Sequence, residues 1–278
     1  KKMPVFSTLW KTRSPGAGRP TAPLPPESGT RPVLMGILNL TPDSFSDGGQ
    51  FLDPAAAEEQ ALQLQAAGAD LLDIGAESTR PGHVLISEAE ELRRLLPVLD
   101  RLARQLQIPI SVDTSKTAVA RAAFDHGAAI LNDVAALSRP GMAEFVRQTG
   151  APVILMHGVA QVLAADDAHP SATIAAWLAR RIAELELPDE QVIVDPGIGF
   201  GTTRPQDAAI LDNLKPLTDL GRPLLIGLSR KRIVRHLHPG ADLDQASAQM
   251  ALRAWRNGAT ILRLHELRPL LAGLHAGP

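Results

Sequence analysis

Three polar residues close apolar runs. Asp113 ends Ile108-Pro-Ile-Ser-Val-Asp113, Asn132 ends the run that begins near Ala129, and Asp195 ends the run that begins near Gln191. Two carboxylates and an amide gathered in one place suit a ligand edge rich in N–H donors, such as the guanidine-like edge of a pterin or purine. The competing chemistry is a divalent-metal site. Against it, no His-x-His pair follows the first apolar run, and His157 and His265 are too few to hold two metals unaided. Cations stand at two further run ends. Ser229-Arg-Lys-Arg232 is on one reading a solvated basic face, but it directly follows Pro223-Leu-Leu-Ile-Gly-Leu228, which would carry Lys231 to a strand end. Arg263 and His265, two apart, would point the same way. Together these groups could receive a pyrophosphate leaving group and stack a guanidinium plane on a heterocycle.

Two loops complete the inventory. Leu38-Asn-Leu-Thr-Pro-Asp-Ser-Phe-Ser-Asp-Gly-Gly49 is too polar for a strand and too long for a tight turn. Asn39 at its root offers an amide oxygen to a hard cation such as Mg²⁺, or caps its own turn. Thr79-Arg80-Pro81-Gly82 brings a hydroxyl and a guanidinium that could meet phosphate oxygens. Glu77, Asp133 and His157 are the other polar groups at run ends.

The elements that must position these residues follow from periodicity. Short apolar runs near Val33–Asn39, Asp70–Ala76, Ile108–Asp113, Ala129–Asp133, Pro152–His157, Gln191–Asp195, Pro223–Ser229 and Thr260–His265 alternate with stretches of helical spacing. The clearest helix follows Ser87, where Ser87 and Glu90 predict a capping box and Leu92, Leu95, Leu96, Leu99, Leu102 and Leu106 one apolar stripe. Gly-Ala pairs at Gly68, Gly127, Gly150 and Gly258 predict helix stops before the next strand. Eight βα units predict a single-domain α/β chain, a (β/α)₈ TIM barrel, whose active site assembles at the carboxyl ends of the strands. A Rossmann sheet would need a glycine fingerprint that is absent.

Composition narrows the function classes. The 278 residues carry 28 Lys and Arg against 30 Asp and Glu, and no cysteine. Disulfides, a thiolate nucleophile and thiolate metal centres are excluded, and the near-neutral charge gives no footprint for nucleic acid. No apolar run approaches the roughly 18 residues of a membrane span, so neither a membrane nor a nucleic-acid partner is expected, and the chain is expected in the cytoplasm. Pro15, Pro20, Pro23, Pro25 and Pro26 mark residues 1–31 as a flexible, disordered leader ahead of a barrel over 32–278.

The motifs, taken together, resemble a known family. Met35-Gly-Ile-Leu-Asn-Leu-Thr-Pro-Asp-Ser-Phe-Ser-Asp-Gly-Gly49 and Asp73-Ile-Gly-Ala-Glu-Ser-Thr-Arg-Pro-Gly82 are similar to the two signatures of the dihydropteroate synthases, pterin-binding (β/α)₈ enzymes of folate biosynthesis. Ser111-Val-Asp-Thr114, Leu131-Asn-Asp-Val134, Asp195-Pro-Gly-Ile-Gly-Phe-Gly201, Gly227-Leu-Ser-Arg-Lys231 and Leu262-Arg-Leu-His265 follow in the family's order. The resemblance spans about Val33 to Leu274. It implies a transferase that condenses 6-hydroxymethyl-7,8-dihydropterin pyrophosphate with p-aminobenzoate, releasing pyrophosphate, with sulfonamides competing for the p-aminobenzoate place. By position, Asp113, Asn132, Asp195 and Lys231 would hold the pterin, Met156, Phe200 and Gly227 would line its slot, and Arg263 would stack over it. Asn39, Arg263 and His265 would take the pyrophosphate, and Asn39 its Mg²⁺. Thr79, Arg80, Pro81, Phe45, Ser229 and Lys231 would form the p-aminobenzoate pocket. Asp113, Lys231, Arg263 and His265 would be catalytic.

The chain departs from the family's pattern in four places. Thr202-Thr203 and Gln206-Asp207 replace Lys-Thr and His-Asn after Gly201, which leaves the helix there in question. Gly158-Val159 alter the loop after Met156-His157, Ala135-Ala136 replace Ser-Gly after Val134, and Glu266 replaces Asp after His265. The family is typically dimeric, so a homodimer is expected. Ala248, Ala251, Leu252, Ala254 and Trp255 form an apolar face suited either to that contact or to packing on the barrel. Two other readings are a folate-dependent methyltransferase domain, which lacks both loop signatures, and a silent pterin-binding paralogue.

Overall fold

The computed structural model describes residues 31–41, 53–78, 85–158 and 160–275. Eight parallel strands form one sheet: β1 (Val33–Asn39), β2 (Leu71–Gly75), β3 (Ile110–Asp113), β4 (Ile130–Asp133), β5 (Val153–Met156), β6 (Val192–Asp195), β7 (Leu225–Gly227) and β8 (Ile261–Leu264). The strands pair in chain order from β1 to β6, and β8 lies between β1 and β7. A single parallel bridge, Val194 to Leu224, joins β6 to the start of β7 and completes the ring. The TIM barrel and all eight strands stand where the apolar runs place them.

Helices follow the strands on the outside. They are α1 (Pro54–Ala66), α2 (Glu88–Gln105), α3 (Thr117–Asp125), α4 (Met142–Thr149), α5 (Pro170–Leu185), α6 (Arg204–Asp212), α7 (Lys215–Thr218), α8 (Arg232–Leu237), α9 (Leu243–Arg256) and α10 (Arg268–His275). The long helices bury one stripe each; in α2 that stripe is Leu95, Val98, Leu99 and Leu102. Gly68, Gly127, Gly150 and Gly258 adopt φ of +92, +109, +62 and +106°, so each Gly-Ala pair is a left-handed helix stop.

Two helix starts differ from expectation. Ser87 accepts a hydrogen bond from Glu90 N, but the Glu90 carboxylate turns to Arg93 and Arg94 instead of closing the capping box. The complete box belongs to α6, where Thr203 and Gln206 cap each other's backbone. The helix after β6 is therefore intact with its altered residues.

Side chains facing into the barrel form two levels. Val33, Met35, Leu71, Ile130, Ile154, Ile193, Leu225 and Ile261 make a closed apolar cluster below. Because side chains repeat their direction every second residue, the next inward positions on six of these strands are Asp73, Asn132, Met156, Asp195, Gly227 and Arg263. Below both levels Arg31, the last residue assigned to the leader, pairs in bidentate fashion with Asp70 at 2.7 Å, so that residue belongs to the fold. The apolar face of α9 is spent on packing within the chain: Ala248, Ala251, Leu252 and Ala254 are buried.

Candidate active site

The carboxyl ends of β2, β3, β4, β6 and β8 bring one arginine among three carboxylates. Arg263 Nε donates to Asp73 Oδ2 at 2.6 Å, and its Nη2 lies 3.4 Å from Asp113 Oδ2. Asn132 Nδ2 donates to the same Asp73 oxygen at 3.0 Å. One carboxylate oxygen thus orients both the amide and the guanidinium. Asp73 is fully buried, and its Oδ1, like Asp113 Oδ1, has no hydrogen-bond partner among the described residues. Two buried acceptors left open in this way are costly unless a ligand brings donors to them.

Across the mouth, Lys231 is fixed by the turn that follows β6. Its Nζ donates to Ile198 O at 2.6 Å and lies 4.7 Å from the centroid of the Phe200 ring. Asp195 Oδ1 accepts from Gly197 N at 2.8 Å. Gly197 has φ of +69°, and a Cβ there would meet His157 O at 1.8 Å, so only glycine lets this turn press against the end of β5. Met156 and Phe200 provide the apolar walls, and Gly227 lies beside the Arg263 stem, where a Cβ would stand 3.8 Å away.

A third group sits at the rim. His265 N and Nδ1 both approach Ser229 Oγ, at 3.1 and 2.9 Å, and Asn39 Nδ2 faces His265 Nε2 at 3.1 Å. Both ring nitrogens of His265 are thereby placed, Nε2 beside the Asn39 amide and Nδ1 beside the Ser229 hydroxyl. The Asn39 amide oxygen then points the other way. Between Ser229 and Lys231, Arg230 takes φ of +59° and pairs with Asp244 on α9, away from the mouth. That left-handed turn in a non-glycine residue is strained, and it sits where the chain must deliver both neighbours to the site.

Burial shapes the charges. It pushes Asp113 up to about 8, reinforced by the Asp73 carboxylate and opposed by Arg263. It also pushes Lys231 down to about 8, against the pull of Asp195 and, more weakly, of Asp207 and Asp113. Asp195 is raised by burial, with Lys231 and the Gly197 amide opposing. Arg263 is half-buried, which works against its charge, yet Asp73 and Asp113 hold that charge firmly. Strongly shifted groups of opposite sign in one concave, buried cluster mark a functional site.

Several strand-end residues serve the scaffold instead. Asp133 points outward and accepts from Ser115 Oγ at 2.5 Å and from Ala135 N and Leu137 N at 2.8 Å. It thereby steadies Ala136 and Leu137, both at positive φ, where the family's Gly has become Ala136. His157 packs edge-on against Trp177 of α5, and burial lowers it to about 4. Glu77 bonds Lys116 at 2.9 Å and accepts from Ile86 N at 2.7 Å. Phe45, Thr79, Arg80 and Pro81 lie outside the described residues.

Sequence reasoning passed over Asp73 because it stands inside a strand instead of at its end. An acid at an inward position of an otherwise apolar strand is the signal that could have found it.

The chain matches the family described as pterin binding enzyme over residues 35–265. It is 37% identical to the dihydropteroate synthase of Escherichia coli, covering 86% of this chain and 88% of that protein. A probable bifunctional folylpolyglutamate synthase/dihydropteroate synthase of Haloferax volcanii is 38% identical over 87% of this chain, which spans 30% of that longer protein. The Xanthomonas albilineans dihydropteroate synthase, solved with 4-aminobenzoic acid, superposes with a TM-score of 0.83 at 41% identity, covering 88% of this chain and 92% of that one. By the family match over residues 35–265 and by these identities, coverages and the shared fold, this chain belongs to the pterin-binding enzyme family, among the dihydropteroate synthases.

Proposed function

We propose that the polar mouth of this barrel condenses 6-hydroxymethyl-7,8-dihydropterin pyrophosphate with p-aminobenzoate, giving 7,8-dihydropteroate and pyrophosphate. The observation that carries the residue assignment is the pair of buried, unpartnered oxygens, Asp73 Oδ1 and Asp113 Oδ1, on two carboxylates that share the Arg263 guanidinium. The 2-amino edge of a pterin presents N–H donors to such acceptors, and the pterin ring carbonyl would accept from Lys231. Asn132 and Asp195 flank the ring edge, Met156, Phe200 and Gly227 line the slot, and the Arg263 guanidinium stacks over the ring.

In the reaction the C–O bond between the pterin methylene and pyrophosphate breaks, and its electron pair leaves with pyrophosphate. The amine lone pair of p-aminobenzoate forms the new C–N bond, and the amine then loses a proton. Asp113, when ionised, stabilises positive charge developing on the pterin methylene, while Arg263 and His265 receive the negative leaving group. Ser229 holds the His265 ring in register. Phe45, Thr79, Arg80, Pro81, Ser229 and Lys231 are assigned to p-aminobenzoate, the place for which sulfonamides would compete.

Mg²⁺ fits this site in one way. Among the described residues no three His, Asp or Glu side chains are placed to hold a metal ion. A cation there needs ligands that arrive with it, as pyrophosphate oxygens and waters do for Mg²⁺. The outward-turned amide oxygen of Asn39 is the protein's donor, and the ion would neutralise leaving-group charge.

We place this enzyme of small-molecule substrates in the cytoplasm; among the described residues no helix is long and apolar enough to cross a membrane. A homodimer is the assembly we propose, with Leu237 at the end of α8, 41% exposed beside a groove of 340 Å³, as an apolar contact within an otherwise basic helix face. Sedimentation equilibrium of the chain and of Leu237→Glu tests that assembly, and a monomeric parent chain overturns it.

The direct test of the reaction is pyrophosphate release from the pterin pyrophosphate and Mg²⁺, with and without p-aminobenzoate. Release that requires p-aminobenzoate and yields dihydropteroate is expected. Pterin binding without release would mark a silent paralogue.

A further inference from the structure

The turn from Pro196 to Gly201 holds the Phe200 ring and receives Lys231, yet little in its own sequence stiffens it. Gly197, Gly199 and Gly201 all take left-handed φ, of +69, +81 and +74°, so its shape must be imposed from outside. Asp195 holds the first of these glycines through its N–H, and two charged side chains, Lys231 and Asp207, grip one peptide group further along. On one side of the Ile198–Gly199 peptide, Lys231 Nζ donates to the carbonyl of Ile198 at 2.6 Å. On the other, the N–H of Gly199 donates to Asp207 Oδ1 at 2.9 Å. Thr202 Oγ donates to that same Asp207 oxygen at 2.5 Å and accepts from Gly199 N at 3.0 Å.

Asp207 is itself held. It lies in the first turn of α6, behind the Thr203–Gln206 capping box, and Gln206 Nε2 is anchored on Ala164 O at 2.7 Å. It is buried, and one of the altered residues after Gly201. A carboxylate on the N–H side of a peptide and an ammonium on its C=O side polarise that peptide in the same sense, which strengthens both hydrogen bonds.

We propose that Asp207 is the positioning residue of the pterin slot, holding the Lys231 ammonium and the Phe200 ring in place through the Ile198–Gly199 peptide. The inference rests on the reading of Lys231 as a pterin ligand. The charged groups facing Lys231 are Asp195 from β6, Arg263 from β8, Asp113 from β3 and Asp207 from α6. Burial and Arg263 oppose its charge; the three carboxylates favour it. Removing the charge at position 207 must therefore make the ammonium easier to deprotonate.

Asp207→Asn separates charge from fastening, because an amide oxygen still accepts from Gly199 N and Thr202 Oγ. The chain has six lysines, so an NMR titration of the lysine ε-methylenes, with Lys231 identified by its loss in Lys231→Ala, reads this amine directly. The expected result is a Lys231 midpoint lower by about half a pH unit in Asp207→Asn, with an unchanged thermal midpoint. The alkaline limb of kcat/KM for the pterin pyrophosphate should move down with it. Asp207→Ala, which removes the fastening as well, should raise KM for the pterin pyrophosphate about tenfold with a smaller change in kcat. An unmoved Lys231 titration in Asp207→Asn overturns the proposal whether or not Asp207→Ala folds, and so does a parental KM in a folded Asp207→Ala. A parent chain that releases no pyrophosphate would sink the functional reading alone, since the titration needs no turnover.

Discussion

The two levels inside the barrel lie on the same strands only two residues apart, yet they differ in almost every physical respect. Leu71, Ile130, Ile154, Ile193, Leu225 and Ile261 fill the lower level; Asp73, Asn132, Met156, Asp195, Gly227 and Arg263 stand one pleat above them, about 7 Å along the strand. Below, burial of branched apolar side chains supplies stability without specificity. Above, and at the strand ends and loop that complete the mouth around it, burial works against the residues: Asp113 is driven up and Lys231 down, both to about 8. The signs are informative. A carboxyl raised in the folded state contributes its full stability only below its unfolded pKa and loses it as pH rises through about 8. A lysine lowered in the folded state contributes fully only above its unfolded pKa and loses that contribution as pH falls through about 8. Near neutrality the upper level is thus a cost to the ligand-free fold, held in place by the level beneath it.

The comparison can be broken most sharply at Lys231. Lys231→Ala should cut kcat/KM for the pterin pyrophosphate by about 10²- to 10³-fold without lowering the thermal midpoint. Loss of stability alongside activity would mean the two levels are not separate. Ile193→Ala, one level below Asp195, should do the converse. Chemical denaturation should show a loss of about 2–5 kcal/mol, with turnover well below the midpoint nearly parental.

Asp113→Asn sharpens the same contrast through pH. Turnover should fall about 100-fold, while the ligand-free thermal midpoint rises. That rise should be small near pH 4 and grow toward pH 8, because the cost being removed is that of keeping a buried carboxyl protonated while its unfolded counterpart ionises. A gain independent of pH would place the cost elsewhere. The smallest effect is expected outside both levels, at Ala136. Glycine there relieves a φ of +49° and should add about 0.5–1 kcal/mol in denaturant titrations, with unaltered kinetics.

Much of this was legible in the sequence because strand and helix periods differ and because glycine marks the helix stops. Asp113, Asn132 and Asp195 were found by their place at the ends of apolar runs, and the structure gathers them with Lys231 and Arg263. The same rule misled at Asp133 and His157, which also end such runs. Alternation turns them outward, onto Ser115 and onto Trp177, and only the strand register decides which of two adjacent residues faces in. Ser87 shows a second limit. Glu90 has the capping-box spacing, but two arginines on the same helix face compete for its carboxylate, and the charge pairing prevails. Asp207 shows a third, for its contact with Gly199 depends on a glycine turn whose shape no local pattern specifies.

The bridge between Val194 and Leu224 has a mechanical meaning. Every other neighbouring pair in the ring is laced by several residues, whereas β6 and β7 meet at that one bridge. The seam therefore lies between Asp195 and the segment that delivers Gly227 and Lys231. A ring-shaped ligand held from both sides spans it as a staple spans a cut, and the same pterin that the site is built to activate would also fasten the barrel shut.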